Sequence, residues 1–262
     1  MGIVQGITEF LPVSSSGHLV ILQELGKLGP AKDLVFFDVI LHLGSLTSIC
    51  LIFFNELWAI AKGVSSCFRP SGFKAAWREQ PYLRLLAWLI LGTIPAALFG
   101  AAAQDYIESM FADIHGVGVA LIINAMILFS TRLAPTGGRN LENLTPGSAV
   151  VVGLAQAVAT FPGISRSGST IVAGLWLGLD RETAGRFSFL LAIPIILGAA
   201  SLKAIKLDQI PSGFLLLAAS GYVASVISSL IALKLLLGFI RHGRLHWFGF
   251  YCMLVGVGVL FL

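Results

Sequence analysis

Residues 2–18 of this chain occur a second time, without a gap, as residues 153–169. A segment repeated in each half of a chain predicts two similar substructures, and this limits the folds available to it. The identical positions are Gly2 and Gly153, Gln5 and Gln156, Phe10 and Phe161, Ser14 and Ser165, Ser16 and Ser167, and Gly17 and Gly168.

The positions at which the two copies differ carry the ionisable groups. The first copy holds an acid and an imidazole, and the second holds a guanidinium. The mismatched pairs are Glu9 with Thr160, Ser15 with Arg166, and His18 with Ser169.

The composition predicts that the repeat lies in a lipid bilayer. Of the 262 residues, 56% are apolar and only 11% are charged, whereas about a quarter of the residues of a soluble domain are charged. The chain is therefore predicted to be an all-α, polytopic integral membrane protein. Six apolar runs are each close to the length of a transmembrane helix: 34–54, 83–103, 115–133, 187–204, 213–238 and 246–262.

The two repeat copies lie outside these six runs. Each begins with a short apolar stretch that stops at Pro12 or Pro162, and a Ser/Gly turn and a second short stretch follow. Half-length helices joined by a polar turn are typical of re-entrant hairpins, here 2–24 and 148–178. Two ordinary kinked spans are the alternative.

Basic residues predict the orientation, because cytoplasmic loops are enriched in Lys and Arg. With the loop 55–82 in the cytoplasm, the opposite face receives only Lys27, Lys32, Lys203 and Lys206. The hairpins then enter from opposite faces as an inverted-topology pair whose tips can meet near the midplane. We expect one integral membrane domain, 1–262, with repeat 1 at about 1–133 and repeat 2 at about 148–262.

The remaining global features are explained by this topology. The net charge of +4 is accounted for by loop anchoring, and no aromatic-interleaved basic patch predicts nucleic-acid binding. The three cysteines are scattered and predict neither a disulfide framework nor a metal site. Since Met1 directly precedes the first copy, its first helix is expected to be several residues shorter than 148–161, with a trimmed or misassigned start left open.

Five ionisable side chains fall in apolar surroundings, where such groups are usually retained for function: Glu9, His18, Asp38, His42 and Arg166. Gln5 and Glu9 are one helical turn apart, so both project from one face. Their oxygens suit a divalent cation or a base near a phosphate, and a protonated, hydrogen-bonded glutamate is the alternative. Asp38 and His42, also one turn apart, are either a satisfied buried pair or a support for the site.

The serine turns predict an anion site. Ser14 is a suitable N-cap, so the N–H groups of Ser16, Gly17 and His18 are expected to point from a positive helix end toward a ligand. The second copy repeats this arrangement from Ser165 to Thr170 and adds Arg166, whose guanidinium is well suited to a phosphate. A simple capping motif is the alternative for either turn alone, but the duplication favours a site for two phosphoryl groups.

These residues resemble the bacterial undecaprenyl-diphosphate phosphatase family, also known as the bacitracin-resistance protein family. The segment Gln5-Gly-Ile-Thr-Glu9 is similar to its (Glu/Gln)xxxGlu motif, and Pro162-Gly-Ile-Ser-Arg-Ser-Gly-Ser-Thr170 is similar to its PGxSRSGST motif. Further similarity at 36–44, 94–97 and 186–194 extends the resemblance over essentially the whole chain.

The resemblance implies hydrolysis of undecaprenyl diphosphate to undecaprenyl phosphate, which recycles the lipid carrier for cell-wall synthesis and confers bacitracin resistance. It implies a divalent cation, Mg²⁺ or Ca²⁺, and a site in the bacterial cytoplasmic (inner) membrane that opens to the outer, periplasmic side. We assign catalytic roles to Glu9, Ser15, His18 and Arg166, diphosphate binding to Ser14, Ser16, Gly17, Ser165, Ser167, Gly168 and Thr170, and cation binding to Gln5 and Glu9. Either Ser15 or an activated water is the nucleophile.

A polyprenyl-phosphate flippase or transporter, alone or in addition, is the main rival, since inverted repeats with broken helices are a transporter architecture. The sequence leaves the oligomeric state open, with a homodimer as one of the states it allows. Membrane lipids and the polyprenyl diphosphate are the expected partners, and nucleic acid is not.

Overall fold

The structure, a computed structural model, describes residues 1–26, 31–68, 72–135, 137–205 and 215–262; the side chains of 31–35 are not described. Within these ranges the chain is helical, without a named β-strand. The helices are α1 (Gly2–Phe10), α2 (Ser15–Gly26), α3 (Ala31–Ile52), α4 (Phe54–Ser66), α5 (Gly72–Glu79), α6 (Pro81–Ala102), α7 (Gln104–Met110), α8 (Ile114–Phe129), α9 (Pro146–Val158), α10 (Arg166–Trp176), α11 (Arg181–Ile205), α12 (Leu215–Arg241) and α13 (His246–Val259).

The predicted all-α membrane protein is confirmed, with four or five candidate spans among the described residues. By length and hydropathy, α6, α8 with its 3₁₀ extension to Arg132, α11 and α12 can each cross a bilayer. Helices α3 and α4 meet at 77° and together make the fifth candidate. The last apolar run forms only the fourteen residues of α13, so helix length alone does not establish the predicted sixth span.

Each repeat copy folds into two short helices joined by a tight turn, α1–α2 in the first copy and α9–α10 in the second. Helix α1 ends just before Leu11, which is extended at φ −59° and ψ 142° because the residue before a proline avoids the helical region. With nine residues, α1 is shorter than α9 with thirteen, as the sequence predicts.

Each half-helix packs on a long helix of the other repeat, α1 on α12 and α9 on α6. Small residues allow this close approach. A methyl group on Gly6 would lie 2.6 Å from the carbonyl oxygen of Ser225, and one on Gly153 would lie 3.0 Å from Cα of Gly92. The two copies are therefore held by equivalent contacts, exchanged between the halves of the chain.

Aromatic packing fixes the end of α1. Phe10 is fully buried and meets Phe189 of α11 edge to face, with ring centroids 6.1 Å apart; Phe53 stacks on the same ring at 6.0 Å. Because a buried aromatic ring in such contacts has few alternative orientations, the neighbouring Glu9 is held in place. Lys27, Arg69 and Lys206, which contribute to the predicted charge bias, lie outside the described residues, as does the side chain of Lys32.

Candidate active site

The two turns of the repeat lie against each other. The hydroxyl oxygen of Ser14 in the first turn accepts a hydrogen bond of 3.1 Å from the N–H of Gly163 in the second. Gly163 has φ of 100°, in the left-handed region that favours glycine, and a methyl group there would lie 2.6 Å from Cβ of Ala120. The two turns are thus in direct contact.

Asn124, on α8, joins the same two turns. Its side chain is fully buried; Oδ1 accepts from the N–H of Ser165 at 3.0 Å, and Nδ2 donates to the carbonyl of Pro12 at 2.9 Å. The sequence analysis did not identify this residue. The available signal was a single amide in the middle of an apolar helix, where polar groups need partners.

The serine caps are present in both copies. The hydroxyl of Ser14 accepts from the N–H of Gly17 at 3.3 Å, and that of Ser165 accepts from the N–H of Gly168 at 3.1 Å. In each copy the capping serine also contacts the serine two positions later. The hydroxyl oxygens of Ser14 and Ser16 are 3.2 Å apart, and those of Ser165 and Ser167 are 3.1 Å apart. The N-cap predictions are confirmed.

The expectation that the amides of Gly17 and His18 are free for a ligand is wrong. Gly17 donates to the cap hydroxyl, and the N–H of His18 donates to the carbonyl of Ser14 at 3.2 Å. The helix consumes these donors because an N-cap residue supplies both a side-chain and a backbone acceptor. Donors for an anion must therefore come from earlier in the turn and from side chains.

Glu9 is the centre of a buried charged cluster. Its Oε1 accepts from Nη2 of Arg166 at 2.7 Å, and its Oε2 accepts from Oγ of Ser15 and Nε2 of Gln5, both at 2.9 Å. The Glu9 and Arg166 side chains are only 8% and 13% exposed. The structure thus joins four residues of the two repeat copies in one hydrogen-bonded group: Gln5, Glu9 and Ser15 from the first copy and Arg166 from the second. In this group the opposite charges of Glu9 and Arg166 are in direct contact.

Two residues given a weaker assignment from the sequence, His42 and Asp38 on α3, extend this cluster. Nε2 of His42 lies 3.3 Å from Nε2 of Gln5 and 3.9 Å from Oε2 of Glu9. Its Nδ1 lies 2.8 Å from the Asp38 carbonyl and 3.3 Å from Oδ1 of Asp38, and the other Asp38 oxygen pairs with Lys203. The sequence analysis left open a support for the site or an isolated pair; the geometry favours the support.

His18 lies in a different environment. Its Nδ1 donates to the Ser14 carbonyl at 2.8 Å, its Nε2 is 2.7 Å from the hydroxyl of Tyr251, and the two rings stack with centroids 5.7 Å apart. Among the described residues no hydrogen bond or ion pair joins His18 to Glu9. These two residues, both assigned catalytic roles from the sequence, are therefore not in direct contact in the structure.

Thr170 supports the second helix from within. Its Oγ1 donates to the carbonyl of Arg166 at 2.8 Å and lies 2.5 Å from Oγ of Ser188, both hydroxyl groups being buried. These contacts occupy the hydroxyl that the sequence analysis assigned to substrate. They also tie the first turn of α10, and with it Arg166, to α11.

Buried polar atoms without a partner are concentrated in the repeat. Five residues in the described ranges carry them, and four belong to the two copies: Gln5, Gln156, Arg166 and Ser169. An unpaired buried polar group costs about 1–3 kcal/mol, so these atoms are candidates for contact with a polar ligand. Gln156 was noted in the sequence only as the counterpart of Gln5, without a role.

The oxygen atoms of Gln5 and Glu9 suit a divalent cation that also takes ligands from substrate and water. In the part of the chain that the structure describes, no group of three or more His, Cys, Asp or Glu side chains converges as a metal site. Gln5 nevertheless offers a buried, unpartnered Oε1 beside the Glu9 carboxylate. Magnesium is often bound by one or two carboxylates together with substrate phosphates and water, and this arrangement suits that mode.

The similarity to known proteins extends over nearly the whole chain. The family model described as bacitracin resistance protein BacA matches residues 1–258. The chain is 41% identical over 268 residues to a protein named undecaprenyl-diphosphatase from Desulfatibacillum aliphaticivorans, covering 99% of this chain and 95% of the relative.

Two further relatives carry the same name. The protein from Carboxydothermus hydrogenoformans is 40% identical over 272 residues, covering 100% of this chain and 95% of its own. The protein from Korarchaeum cryptofilum is 41% identical over 270 residues, covering 100% and 97%. With matches of this extent, and with the repeat motifs assembled as described, this chain belongs to the bacitracin resistance protein BacA family.

Proposed function

We propose that this protein hydrolyses undecaprenyl diphosphate to undecaprenyl phosphate and inorganic phosphate. The observation that carries the proposal is the contact of Arg166, Glu9 and Ser15 in a member of a family whose relatives are named undecaprenyl-diphosphatase. In this proposal, recycling of the lipid carrier supports cell-wall synthesis and confers bacitracin resistance.

The diphosphate is placed between the two serine turns. Arg166 has one nitrogen bound to Glu9 and a second, Nη1, that is buried and has no partner among the described residues. A guanidinium in this state can hold a phosphoryl oxygen without first breaking its ion pair. Positioning and pre-placed positive groups together supply most of the acceleration in phosphoryl transfer, and removing a single such donor typically costs about a hundredfold to a thousandfold.

Ser15 is the proposed nucleophile and Glu9 its base. The Ser15 hydroxyl donates to Oε2 of Glu9 at 2.9 Å, the arrangement needed to remove its proton. The Ser15 oxygen attacks the terminal phosphorus, the bond from that phosphorus to the bridging oxygen breaks, and undecaprenyl phosphate leaves. Water then attacks the phosphoserine phosphorus, releases inorganic phosphate and restores the serine.

The other assigned residues take supporting positions. Gln5 and Glu9 would hold the divalent cation, which when bound would neutralise phosphoryl charge. Ser16, Gly17, Ser167 and Gly168 shape the turns around the diphosphate, and His18 keeps a proposed role in proton transfer through its position on the first turn of α2.

We also propose the finer topology. In this proposal α13 is a sixth span, α1–α2 and α9–α10 are re-entrant hairpins of opposite orientation, and the site opens to the outer side of the inner membrane. The equivalent packing of α1 on α12 and of α9 on α6 supports an inverted pair. The proposal includes a homodimer.

Phosphate release by the purified protein tests the function. Wild-type protein in detergent with Mg²⁺ or Ca²⁺ is expected to release phosphate from undecaprenyl diphosphate, while Glu9→Ala and Arg166→Ala lose at least about a hundredfold. Arg186→Ala is the matched control, because Arg186 pairs with Glu182 and Glu56 outside this cluster. Wild-type protein that moves the lipid across liposomes and hydrolyses nothing would establish the transporter in place of the enzyme.

A further inference from the structure

A short helix outside the two repeat copies, α5, lies at a surface of the bilayer. Only Gln80 separates it from α6, which is long and apolar enough to cross a membrane. Helix α5 packs back on α6, and the ring of its Trp77 meets that of Trp88 edge to face, with centroids 5.9 Å apart. Because Trp88 lies about two turns, roughly 10 Å, inside α6, this contact places α5 along the lipid headgroups, the depth at which tryptophan is enriched.

Three kinds of side chain follow one another around α5. Ala76 is 3% exposed and marks the packed side of the helix. Phe73 and Trp77, one turn apart, come next, with ring centroids 5.7 Å apart, and Phe73 is 57% exposed. Lys74 and Arg78, also one turn apart, complete the exposed face. At about 100° per residue, the two rings and the two cations cover an arc of about 140° on one side of the helix.

The two basic side chains are not neutralised by the described part of the protein. Within the described ranges neither Lys74 nor Arg78 forms an ion pair. Glu79 is the one acid of α5, and helical spacing places it on the opposite side. With Phe73 and Trp77, the two cations line an open cavity of about 230 Å³. This cavity therefore presents two uncompensated positive charges beside two aromatic rings.

This combination of side chains suits an anionic phospholipid. Arg and Lys both bind a phosphate, Arg through its planar fork and Lys as a point charge. Aromatic rings beside the cations suit the boundary between headgroups and acyl chains, as on helices that lie in the membrane interface. A soluble anion would account for the cations alone, whereas a lipid accounts for the cations and for the exposed ring of Phe73.

We propose that the exposed face of α5 binds an anionic phospholipid. Lys74 and Arg78 hold its phosphate, and the two rings pack on its acyl chains. In the orientation proposed above this face is cytoplasmic, and the cytoplasmic leaflet is the one with a negative surface potential. The site lies outside the cluster of Glu9 and Arg166, and the proposal does not depend on the proposed hydrolysis.

Crosslinking of the purified protein in detergent tests this site directly. The probe is a phosphatidylglycerol that carries a photoreactive group near its headgroup, and the crosslinked peptides are identified by mass spectrometry. Unlabelled phosphatidylglycerol, phosphatidylcholine and inorganic phosphate are then added as competitors. In the wild type the probe should crosslink to α5, and phosphatidylglycerol should compete at a concentration about thirtyfold lower than phosphatidylcholine, the combined effect of two basic residues. Inorganic phosphate should not compete.

The double variant Lys74→Gln/Arg78→Gln removes both cations. It should require about thirtyfold more probe for the same crosslinking to α5, and each single variant about fivefold more. The charge-conserving exchange Lys74→Arg/Arg78→Lys should remain within about threefold of wild type. The matched control is Arg132→Gln/Arg244→Gln, which removes the same charge from two exposed residues outside α5 and outside the helices on which it packs. This control should also stay within about threefold.

Several outcomes would overturn the proposal. Absence of crosslinks to α5 in the wild type would do so, as would equal competition by the two lipids. Competition by millimolar inorganic phosphate would assign the cations to a soluble anion. An equal loss in the control variant would show that net charge alone attracts the lipid. Melting temperatures without added lipid show whether each variant is folded, and the single variants carry the comparison if the double variant is not.

Discussion

The two copies of the repeat share their scaffold and differ in their chemistry. In both copies a short helix ends at a turn, a serine caps the next helix, and the serine two positions later is hydrogen-bonded to the capping serine. The acid and the hydroxyl lie in one copy and the guanidinium in the other, 2.7 Å from the acid. Identical copies facing each other would bring like charges together, so divergence at these positions is what allows opposite charges to meet.

The first way to test this difference is to make the first copy resemble the second. Glu9→Thr should lower phosphate release by at least about a thousandfold, because base and charge partner are both removed. It should also lower the free energy of unfolding by about 3–5 kcal/mol, because Arg166 is left buried without its counter-charge. Activity assays and unfolding in detergent measure both effects.

The symmetry-related substitution is the control. Thr160 occupies the position of Glu9 in the second copy, and within the described ranges its hydroxyl bonds only to the Ala157 carbonyl, at 2.7 Å. Thr160→Val should therefore keep phosphate release within about twofold of wild type. Comparable losses from the two substitutions would mean that the copies contribute equally, contrary to the comparison.

The adjacent serines of the first copy provide a second test. Ser15 donates to Glu9, whereas Ser16 pairs with Ser14. Ser15→Ala should lower kcat by about a hundredfold to a thousandfold, leaving residual attack by water, and Ser16→Ala by no more than about tenfold. Rapid quenching with labelled substrate should show phosphate on Ser15 of the wild type. Substantial hydrolysis by Ser15→Ala would identify water as the nucleophile.

Asn124 tests whether the two copies depend on a common link. Asn124→Ala leaves the Ser165 N–H without its acceptor and the Pro12 carbonyl with only the weaker Cys252 thiol donor at 3.6 Å, so the free energy of unfolding should fall by about 2–4 kcal/mol. Asn140→Ala is a control at an exposed cap, where Asn140 accepts from the N–H of Asn143 at 3.3 Å, and should cost no more than about 1 kcal/mol. Equal effects in chemical unfolding would show that the link is dispensable.

The smallest expected effect concerns the two capping serines. The Ser14 hydroxyl accepts from two backbone N–H groups, those of Gly17 and Gly163, and the Ser165 hydroxyl accepts from that of Gly168. Ser14→Ala should therefore destabilise the protein by about 1 kcal/mol more than Ser165→Ala. Melting temperatures measured side by side decide this, and a larger effect of Ser165→Ala would contradict it.

The sequence predicted the parts of the site that local pattern controls. The repeat indicated two capped turns, and the i, i+4 spacing placed Gln5 and Glu9 on one face, where the structure has them. The spacing could not show which face of α3 meets this pair, so His42 remained unresolved. Nothing in the sequence indicated the partner of His18, because its ring contacts Tyr251 of α13, 233 positions away in the chain.

Span number was the least predictable part of the fold. Hydropathy marks the apolar runs, but it does not determine where a helix breaks. The run at 34–54 ends inside a 77° bend between α3 and α4, and the last run contributes a helix of fourteen residues. Asn124 shows that local sequence pattern also fails to predict long-range contacts in the site. Its side chain bonds to Pro12, 112 positions earlier in the chain, and to Ser165, 41 positions later.

The exchanged packing of the half-helices has a consequence for how the protein is made. Helix α1 leaves the ribosome long before α12, yet the surface on which α1 packs, including the carbonyl of Ser225, belongs to α12. The N-terminal half therefore cannot complete its own fold while the rest is being synthesised. Glu9 acquires its charge partner Arg166 only after the second repeat is synthesised, so the candidate site is assembled as a late step of biogenesis, and a chain truncated before Arg166 would lack this ion pair.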